Sequence, residues 1–371
     1  MSSERQDDQA TSGMGGQGYY NRHSGLQNAG IHGQDARIRH AVELVRPRAE
    51  GLRIADFGCG PGRNSVGAMG NVVAALKERW PESDIVTCFN DQIGNDWADL
   101  FARLQDTESY LAQNARVRVE IAVGSFFEKV LSKRSLDLGL CFGSVHWLSR
   151  HVSVEAPGSL FFCDIPASAW KEIESQAAQD WQAFLVQRAR ELVPGGLLVL
   201  DMLASVPDPH DPSGVRAAGR GLYRAMGRCV EEMLEAGELD RELANRFVFP
   251  VVFPTEEQVR APLDDGAPLH AVFEVLEIET DLLPNPLFES FQADGDREGY
   301  AKAYANFARA FSEATLRRYL FEPSSHTKED TDRLAESFFE RLTTRLAQDS
   351  EASAFEHLVM GMVLRRTERS V

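Results

Sequence analysis

The sequence predicts an α/β protein in which a doubly wound, Rossmann-like sheet carries a helical cap. Two observations support this prediction. Short apolar segments typical of buried strands alternate with helical segments up to about residue 205, and polar motifs follow the strands at their carboxyl ends. Ligands of doubly wound sheets bind at those ends. Beyond residue 205 long helical segments interrupt the alternation, which indicates a cap.

The segment Arg53–Ser65 predicts a buried strand that runs into a glycine turn and then a helix. The glycines allow positive φ and close approach of a ligand, and Asn64 or Ser65 is expected to cap the helix. A dinucleotide fingerprint counted from Gly58 would need its last glycine where an arginine stands, so a pyrophosphate site is disfavoured. Asp56, at the strand end, suits a ligand with a charged amino-acid end, such as S-adenosylmethionine. A turn that serves only strand–helix packing is the alternative.

The next strand is predicted over Asp84–Phe89, and it ends in Asn90 and Asp91. A carboxylate at such a strand end is typical of one that accepts hydrogen bonds from two ribose hydroxyls. We therefore predict that Asp91 is a ribose ligand. A helix is predicted over Asn95–Leu104, with Asn95 as its N-cap.

The other elements follow from periodicity and from turn residues. Helices are predicted over residues 35–45, 66–77, 177–192, 222–235, 299–319 and 331–346, and strands over 116–123, 135–142, 197–203, 270–279 and 354–365, with a turn at Pro194-Gly195-Gly196. We accordingly divide the chain into a leader or lid (1–34), a Rossmann-like cofactor-binding core (35–205) and helical cap elements (206–371). The cap elements are interleaved with the last core strands, at about 268–281 and 354–366.

Composition narrows the partners and the location. The formal net charge of the 371 residues is −17 and no cluster of Lys and Arg offsets it, so no nucleic acid partner is expected. No apolar run approaches the roughly 20 residues of a membrane helix, and the polar N-terminus lacks an apolar signal segment. No membrane partner and a cytoplasmic location are therefore expected. The five cysteines lack C-x-x-C spacing and mostly lie in apolar runs, which predicts reduced, buried thiols.

Several motifs occur together in one order along the chain. They are Met14-Gly15-Gly16 with Ser24 and Gln27, Asp56-Phe57-Gly58-Cys59 with Asn64, Asn90-Asp91-Gln92-Ile93-Gly94-Asn95-Asp96, Gly124-Ser125-Phe126, His146-Trp147-Leu148-Ser149 and Pro194-Gly195-Gly196. In this the chain resembles the plant-type salicylate, benzoate, jasmonate and theobromine methyltransferases known as the SABATH family. The resemblance is strong to about residue 205 and weaker afterwards. The segment Met14–Gln27 is then interpreted as a lid over the site, with a disordered leader as the alternative.

Carried over position by position, the resemblance implies a cofactor, S-adenosylmethionine, and a small carboxylic acid as substrate. Gln27 and Trp147 would position the substrate carboxylate. The cofactor-binding residues would be Tyr20, Asp56, Gly58, Asn64, Asp91, Ser125 and Phe126. The substrate pocket is predicted to include Tyr20, Gly143, His146 and Tyr223.

Two departures from the family pattern bear on substrate and metal. The usual Ser-Ser-Tyr before the His-Trp pair is Cys141-Phe142-Gly143 here, which is expected to enlarge or reshape the pocket. Some relatives carry a metal near an Asp-x-Phe-Asn element, whereas this chain has Asn245-Arg246-Phe247-Val248, so no metal is predicted. The resemblance also suggests a homodimer.

The chemistry of these residues suits methylation of a carboxylate. A carboxylate with a reference pKa of about 4 is already ionised at neutral pH, so no general base is needed. Gln27 and Trp147 would offer neutral N–H donors that orient the carboxylate, and His146 is expected to be structural. We predict a methyltransferase that gives methyl esters of a small organic acid. The alternatives are methylation of a ring nitrogen of a small heterocycle and, more remotely, a cofactor-binding protein without turnover.

Overall fold

The computed structural model describes residues 34–369, and within them a seven-stranded sheet forms the centre of the molecule. The strands of the described chain are β1 (Leu52–Phe57), β2 (Ile85–Asp91), β3 (Val117–Val123), β4 (Leu136–Phe142), β5 (Leu192–Leu203), β6 (Ser205–Pro207), β7 (Val215–Ala217), β8 (Phe273–Leu283) and β9 (His357–Arg366). The sheet order is β3-β2-β1-β4-β5-β9-β8, and β6 pairs with β7 separately. Strands β1 to β5 are parallel, and β9 lies antiparallel to both β5 and β8. The predicted doubly wound sheet is confirmed, and its order reverses between β1 and β4, where such sheets bind ligands.

Helices cover both faces of the sheet and form the cap. They are α1 (Asp35–Leu44), α2 (Arg63–Arg79), α3 (Trp97–Leu104), α4 (Ala167–Glu191), α5 (Arg220–Glu235), α6 (Arg241–Asn245), α7 (Glu256–Arg260), α8 (Pro286–Asp294), α9 (Arg297–Leu316) and α10 (Lys328–Gln348), with a 3-10 turn at Phe162–Asp164 and a π-helical turn at Arg317–Phe321. In β1, Ile54 packs with residues of α1, α2 and α3, whereas Ala55 and Phe57 pack with α4. Since successive strand residues point to opposite faces, β1 has apolar residues on both of its faces because both are covered.

The cap has an apolar cluster of its own, rich in aromatic side chains. Helices α5, α9 and α10 supply most of it, and α9 packs along α10. Trp147, in the loop that follows β4, is part of this cluster, and the centroid of its ring lies 5.5 Å from that of Phe249. The loop that carries Trp147 therefore joins the sheet to the cap. The division of the chain into leader, core and cap stays a prediction.

Several predicted boundaries are wrong. Helix α4 begins at Ala167, well before residue 177, because Pro166 precedes a long run of good helix formers. Strand β5 begins at Leu192 and includes Pro194-Gly195-Gly196, where the pairing with β4 slips between Leu136 and Leu138. Gly195, at φ +79°, accommodates this irregularity, so the three residues form a bulge and not a turn.

The predicted helix caps are also wrong. The N-cap of α3 is Asp96, whose carboxylate accepts from the Asp99 N–H at 3.2 Å. Helix α2 begins at Arg63 after Gly62, and no side chain caps it. Two of the residues expected as caps bond elsewhere: Asn95 donates to the Gly60 carbonyl of the glycine turn, and Ser65 donates to Asp56 in β1.

All five cysteines are free thiols, and four of them are buried, with Cys163 half-buried. No helix in residues 34–369 combines the length and apolarity that a membrane crossing requires.

Candidate active site

One cavity opens at the carboxyl ends of β1, β4 and β5 and extends beneath the cap helices α5 and α9. It brings together most of the residues predicted from sequence: Asp56, Gly58, Asn64, Asp91, Phe126, Gly143, His146, Trp147 and Tyr223. Ser125 does not line it, and its hydroxyl accepts from the Phe127 N–H at 3.3 Å. Tyr20 and Gln27 lie outside the described residues.

The glycine turn after β1 closes against the loop after β4. Gly58 has φ +81°, and its carbonyl oxygen accepts from the Ser144 hydroxyl at 3.0 Å. A Cβ atom at Gly58 would lie 2.5 Å from that hydroxyl oxygen and 2.6 Å from Ser144 Cβ. Glycine is required here both for the backbone conformation and for the close approach of Ser144.

The motif after β2 fixes the glycine turn from the other side. Asp91 accepts from the Gly60 N–H and from the Gln92 N–H, each at 2.7 Å. Asn95 donates its amide N–H to the Gly60 carbonyl at 2.8 Å. Asn90 donates to the carbonyls of Ala122 and Gly124, which fixes the end of β3. Much of the Asn-Asp motif is therefore scaffold for the turn.

The acidic groups of the cavity have raised pKa values. Burial raises the pKa of Asp56 to about 7, against the opposing hydrogen bond from Ser65. Burial likewise raises the pKa of Asp91 to about 6, opposed by its two backbone hydrogen bonds. The pKa of Asp201, at the end of β5, is raised to about 7 by burial. All three carboxyl groups therefore have pKa values near neutral pH, and hydrogen-bond donors would stabilise the ionised form of each.

These carboxyl groups fit the hydroxyls and the ammonium group of S-adenosylmethionine. Each carboxylate oxygen has two lone pairs, so Asp91 keeps an acceptor site on both oxygens after its backbone bonds are made. Asp56, Asp91 and the glycine turn share one cavity wall. Vicinal ribose hydroxyls and an ammonium group are the donors that such acceptors would bind.

The cap side of the cavity is apolar and carries few polar groups. Phe307, Phe311 and Phe355 line it together with Tyr223, whose ring stacks on Phe161 at 4.3 Å between centroids. Trp147 is 7% exposed and lines the cavity, and the described residues provide no acceptor for its indole N–H. This half can hold an apolar body beside a neutral N–H donor.

His146 is held beside Trp147 as a neutral ring. Its Nδ1 accepts from the Leu203 N–H at 3.3 Å, and the ring meets Phe253 edge to face at 5.2 Å. Burial lowers the pKa of His146 to about 3. Because Nδ1 accepts, the proton lies on Nε2, and the ring offers a donor but no base.

Sequence reasoning missed several lining residues. They are Asn95, Ser144, Asp201, Leu203, Phe307, Phe311, Phe355, His357 and Val359. Asp201 had a usable signal, since it lies near the carboxyl end of a predicted strand, as Asp56 and Asp91 do. The aromatic residues of α9 and the residues of β9 had none, because their helix and strand patterns are equally typical of core.

The sheet order and the acidic cavity at β1 and β2 define a Rossmann-like protein that binds a nucleoside ligand. Comparison with known proteins gives the particular family. The sequence model of the SAM-dependent carboxyl methyltransferases matches residues 7–367, and the chain belongs to that family. The predicted SABATH resemblance is confirmed, and the family's methyl donor is S-adenosylmethionine.

Two curated relatives and one solved structure illustrate the similarity. Loganic acid O-methyltransferase of Catharanthus roseus is 27% identical over 254 residues, which are 64% of this chain and 63% of that protein. Farnesoic acid carboxyl-O-methyltransferase of Arabidopsis thaliana is 29% identical over 274 residues, 68% of this chain and 75% of that protein. A structure of loganic acid methyltransferase with SAH superposes with a TM-score of 0.76 at 22% identity, over 96% of this chain and 99% of that chain. The last likeness establishes the fold.

Proposed function

We propose that the protein methylates the carboxylate of a small organic acid, giving a methyl ester. The observation that carries this proposal is the cavity that Asp56, Asp91 and the glycine turn line together with Trp147. When bound, S-adenosylmethionine supplies a sulfonium methyl group to the incoming carboxylate oxygen. A C–O bond forms as the C–S bond breaks, and S-adenosylhomocysteine is released with no proton to transfer.

The cofactor would be held mainly by the ends of β1 and β2. Asp91 would accept from the ribose hydroxyls and Asp56 from the charged amino-acid end, while Gly58 lets the ligand approach the backbone. Asn64 and Phe126 line the same wall and would complete the site with Tyr20. For Ser125 a supporting role is proposed, because its hydroxyl braces the turn next to Phe126.

The substrate carboxylate would be held by neutral donors. Trp147 offers an indole N–H, and Gln27 is proposed to add an amide N–H. Neutral donors orient a carboxylate without the charge pairing that would reduce its nucleophilicity. Positioning of this kind can contribute roughly 7–11 kcal/mol to catalysis.

The acid must also tolerate the buried carboxyl groups of the cavity. Asp201 Oδ1 accepts from the Gly143 N–H at 2.6 Å, and its pKa of about 7 keeps it largely protonated in slightly acidic solution. A protonated Asp201 does not repel an anionic substrate, whereas an ionised one does. A substrate carboxylate at Trp147 therefore requires that this repulsion be weak. The dependence of the Michaelis constant on salt concentration measures the repulsion.

The decisive experiment supplies methyl-labelled S-adenosylmethionine with a panel of carboxylic acids and nitrogen heterocycles. Methyl esters are hydrolysed by mild base and N-methyl products are not, so the lability of the product identifies the acceptor. We expect labelled, base-labile product from one or more acids. Base-stable product from heterocycles alone would establish the N-methyl alternative, and binding without any turnover would establish the non-catalytic one.

From the resemblance and composition alone we also propose a homodimeric protein of the cytoplasm. Light scattering of the purified chain tests the dimer, and cell fractionation tests the location.

A further inference from the structure

His357 is a polar residue in an otherwise apolar part of the cavity. It is the first residue of β9, it lines the cavity, and its side chain is 4% exposed. Within the described residues its Nδ1 is buried without a hydrogen-bond partner. Buried polar atoms in native proteins nearly always have partners, so an unpaired one on a residue that lines a cavity points to a ligand group.

The ring of His357 offers a lone pair. Burial lowers its pKa to about 4, so the imidazole is neutral at pH 7 and has one N–H and one acceptor nitrogen. The backbone of Pro284 acts on the pKa of His357 as a hydrogen-bond partner, and it can only accept because proline has no N–H. With the ring N–H on Nε2, the unpartnered Nδ1 is the acceptor nitrogen, and an ionised carboxylate cannot satisfy it because a carboxylate has no hydrogen to donate.

We propose that His357 determines substrate specificity by accepting a hydrogen bond from a hydroxyl or N–H on the body of the acid. The proposal rests on the proposed function and deepens it. The carboxylate binds at Trp147, the apolar body packs against Phe307 and Phe311, and the donor group of the body meets His357. The substrate class is then a carboxylic acid whose apolar body carries a hydrogen-bond donor, and plain hydrocarbon acids are poorer substrates.

The test uses matched benzoic and cinnamic acids that carry hydroxyl, amino, methoxy or hydrogen at each ring position in turn. Methyl ester formation gives kcat/KM, and calorimetry on the enzyme loaded with S-adenosylhomocysteine gives affinity. At the best position the wild type should prefer the hydroxy or amino acid over its methoxy partner by about tenfold, as expected for one buried hydrogen bond. Comparison of the hydroxy acids with the amino acids at the same ring position shows whether His357 prefers a hydroxyl or an N–H donor.

Three variants separate recognition from structure. His357→Phe keeps a planar ring without an acceptor, and its preference should fall to within about twofold. His357→Gln restores an acceptor of similar reach and should keep most of the preference. His210→Phe makes the same substitution at an exposed histidine outside the cavity and should leave the preference unchanged. All three should bind S-adenosylhomocysteine as the wild type does, since none lies in the acidic wall.

The proposal is overturned if no position isomer is preferred by more than twofold in the wild type, or if His357→Phe keeps the full preference. If that variant does not fold, nitrogen-15 NMR of the wild type decides: the lone-pair nitrogen of His357 should shift with the hydroxy acid and not with its methoxy partner. Absence of ester from every acid would refute the proposed function, whereas the calorimetric ratios would still decide the role of His357.

Discussion

The two halves of the cavity are built in different ways. The half around Asp56 and Asp91, which we propose binds the cofactor and call the cofactor half, consists of strand ends and of the turns that directly follow them. Its polar side chains are fixed by backbone bonds such as those from Gly60 and Gln92 to Asp91. The half beneath the cap, which we propose binds the acid and call the substrate half, collects side chains from distant parts of the chain. Four different segments contribute Trp147, Tyr223, Phe307 and His357.

Because of this difference, we expect the two halves of the cavity to tolerate substitutions to different degrees. A wall held by backbone hydrogen bonds tolerates little change, because each side chain also supports the turn that shapes the site. A wall of packed aromatic rings can be resized by single substitutions that leave the sheet intact. We therefore expect substitutions in the cofactor half to affect cofactor affinity strongly and substitutions in the substrate half to affect acid selectivity, as the following predictions test.

The largest effect is expected from Gly58→Ala. The added Cβ would collide with Ser144 at 2.5–2.6 Å in a backbone conformation that disfavours alanine. Affinity for S-adenosylhomocysteine, measured by calorimetry, should fall about a hundredfold or more, with a lower melting temperature. Gly143→Ala is the matched control, since its φ is also positive, at +63°, but no atom lies within 4 Å of the added Cβ. Equal losses in the two variants would show that strain alone, without crowding, controls the turn.

Asp91→Ala should weaken cofactor binding next most. Removing a charge-assisted acceptor of ribose hydroxyls costs about 1.5–3 kcal/mol, or roughly ten- to a hundredfold in the affinity for S-adenosylhomocysteine. The exposed Asp106→Asn, outside the cavity, controls for the loss of one negative charge. Unchanged affinity in Asp91→Ala would remove Asp91 from the cofactor site.

Asp91 also gives a pH signature. Because burial raises its pKa to about 6, the folded, empty protein holds a proton that the unfolded chain has already released between pH 4 and 6. This group therefore lowers stability as the pH rises through that window, whereas cofactor binding, which needs the ionised acceptor, strengthens. Calorimetry near pH 6 in buffers of different ionisation enthalpy should show proton release on binding, and uptake would contradict this sign.

The sequence was informative where function depends on residues that are adjacent in the chain. The turn from Asp56 to Gly62 and the motif around Asp91 were located because a strand, its end and the next helix leave a local pattern. Asn95 and Ser65 were placed near the site, but the partners predicted for them were wrong. A polar side chain at a helix start can cap the helix or bond to another segment, and the local sequence is the same in both cases. His357 and the aromatic residues of α9 were missed because only tertiary packing brings them to the cavity.

Trp147→Phe tests the substrate half with a moderate effect. The phenyl ring keeps most of the apolar contact but has no N–H, so the substrate carboxylate loses one donor worth about 1 kcal/mol or slightly more. We expect kcat/KM for the acid to fall about tenfold while the affinity for S-adenosylhomocysteine stays within twofold of wild type. Gln27→Ala should behave alike, and the double variant should lose less than the sum of the two single losses because both donors position one carboxylate. If both single variants turn over every accepted acid normally, the proposed clamp is wrong.

The smallest effect is expected from His146→Asn, although histidine is the residue most often assigned as a base. Burial lowers the pKa of His146 to about 3, so the ring does not change charge between pH 6 and 9, and Nδ1 is already occupied by the Leu203 N–H. With S-adenosylmethionine saturating, so that Asp56 and Asp91 are held in the bound form, kcat should rise through the pKa of the substrate acid and then stay flat. The asparagine oxygen can accept from the Leu203 N–H in place of Nδ1, and the variant should keep this profile with kcat within about threefold of wild type. A bell-shaped wild-type profile that loses one limb in the variant would make His146 a base, and the substrate would then have to be an acceptor that carries a proton at neutral pH, not a carboxylate.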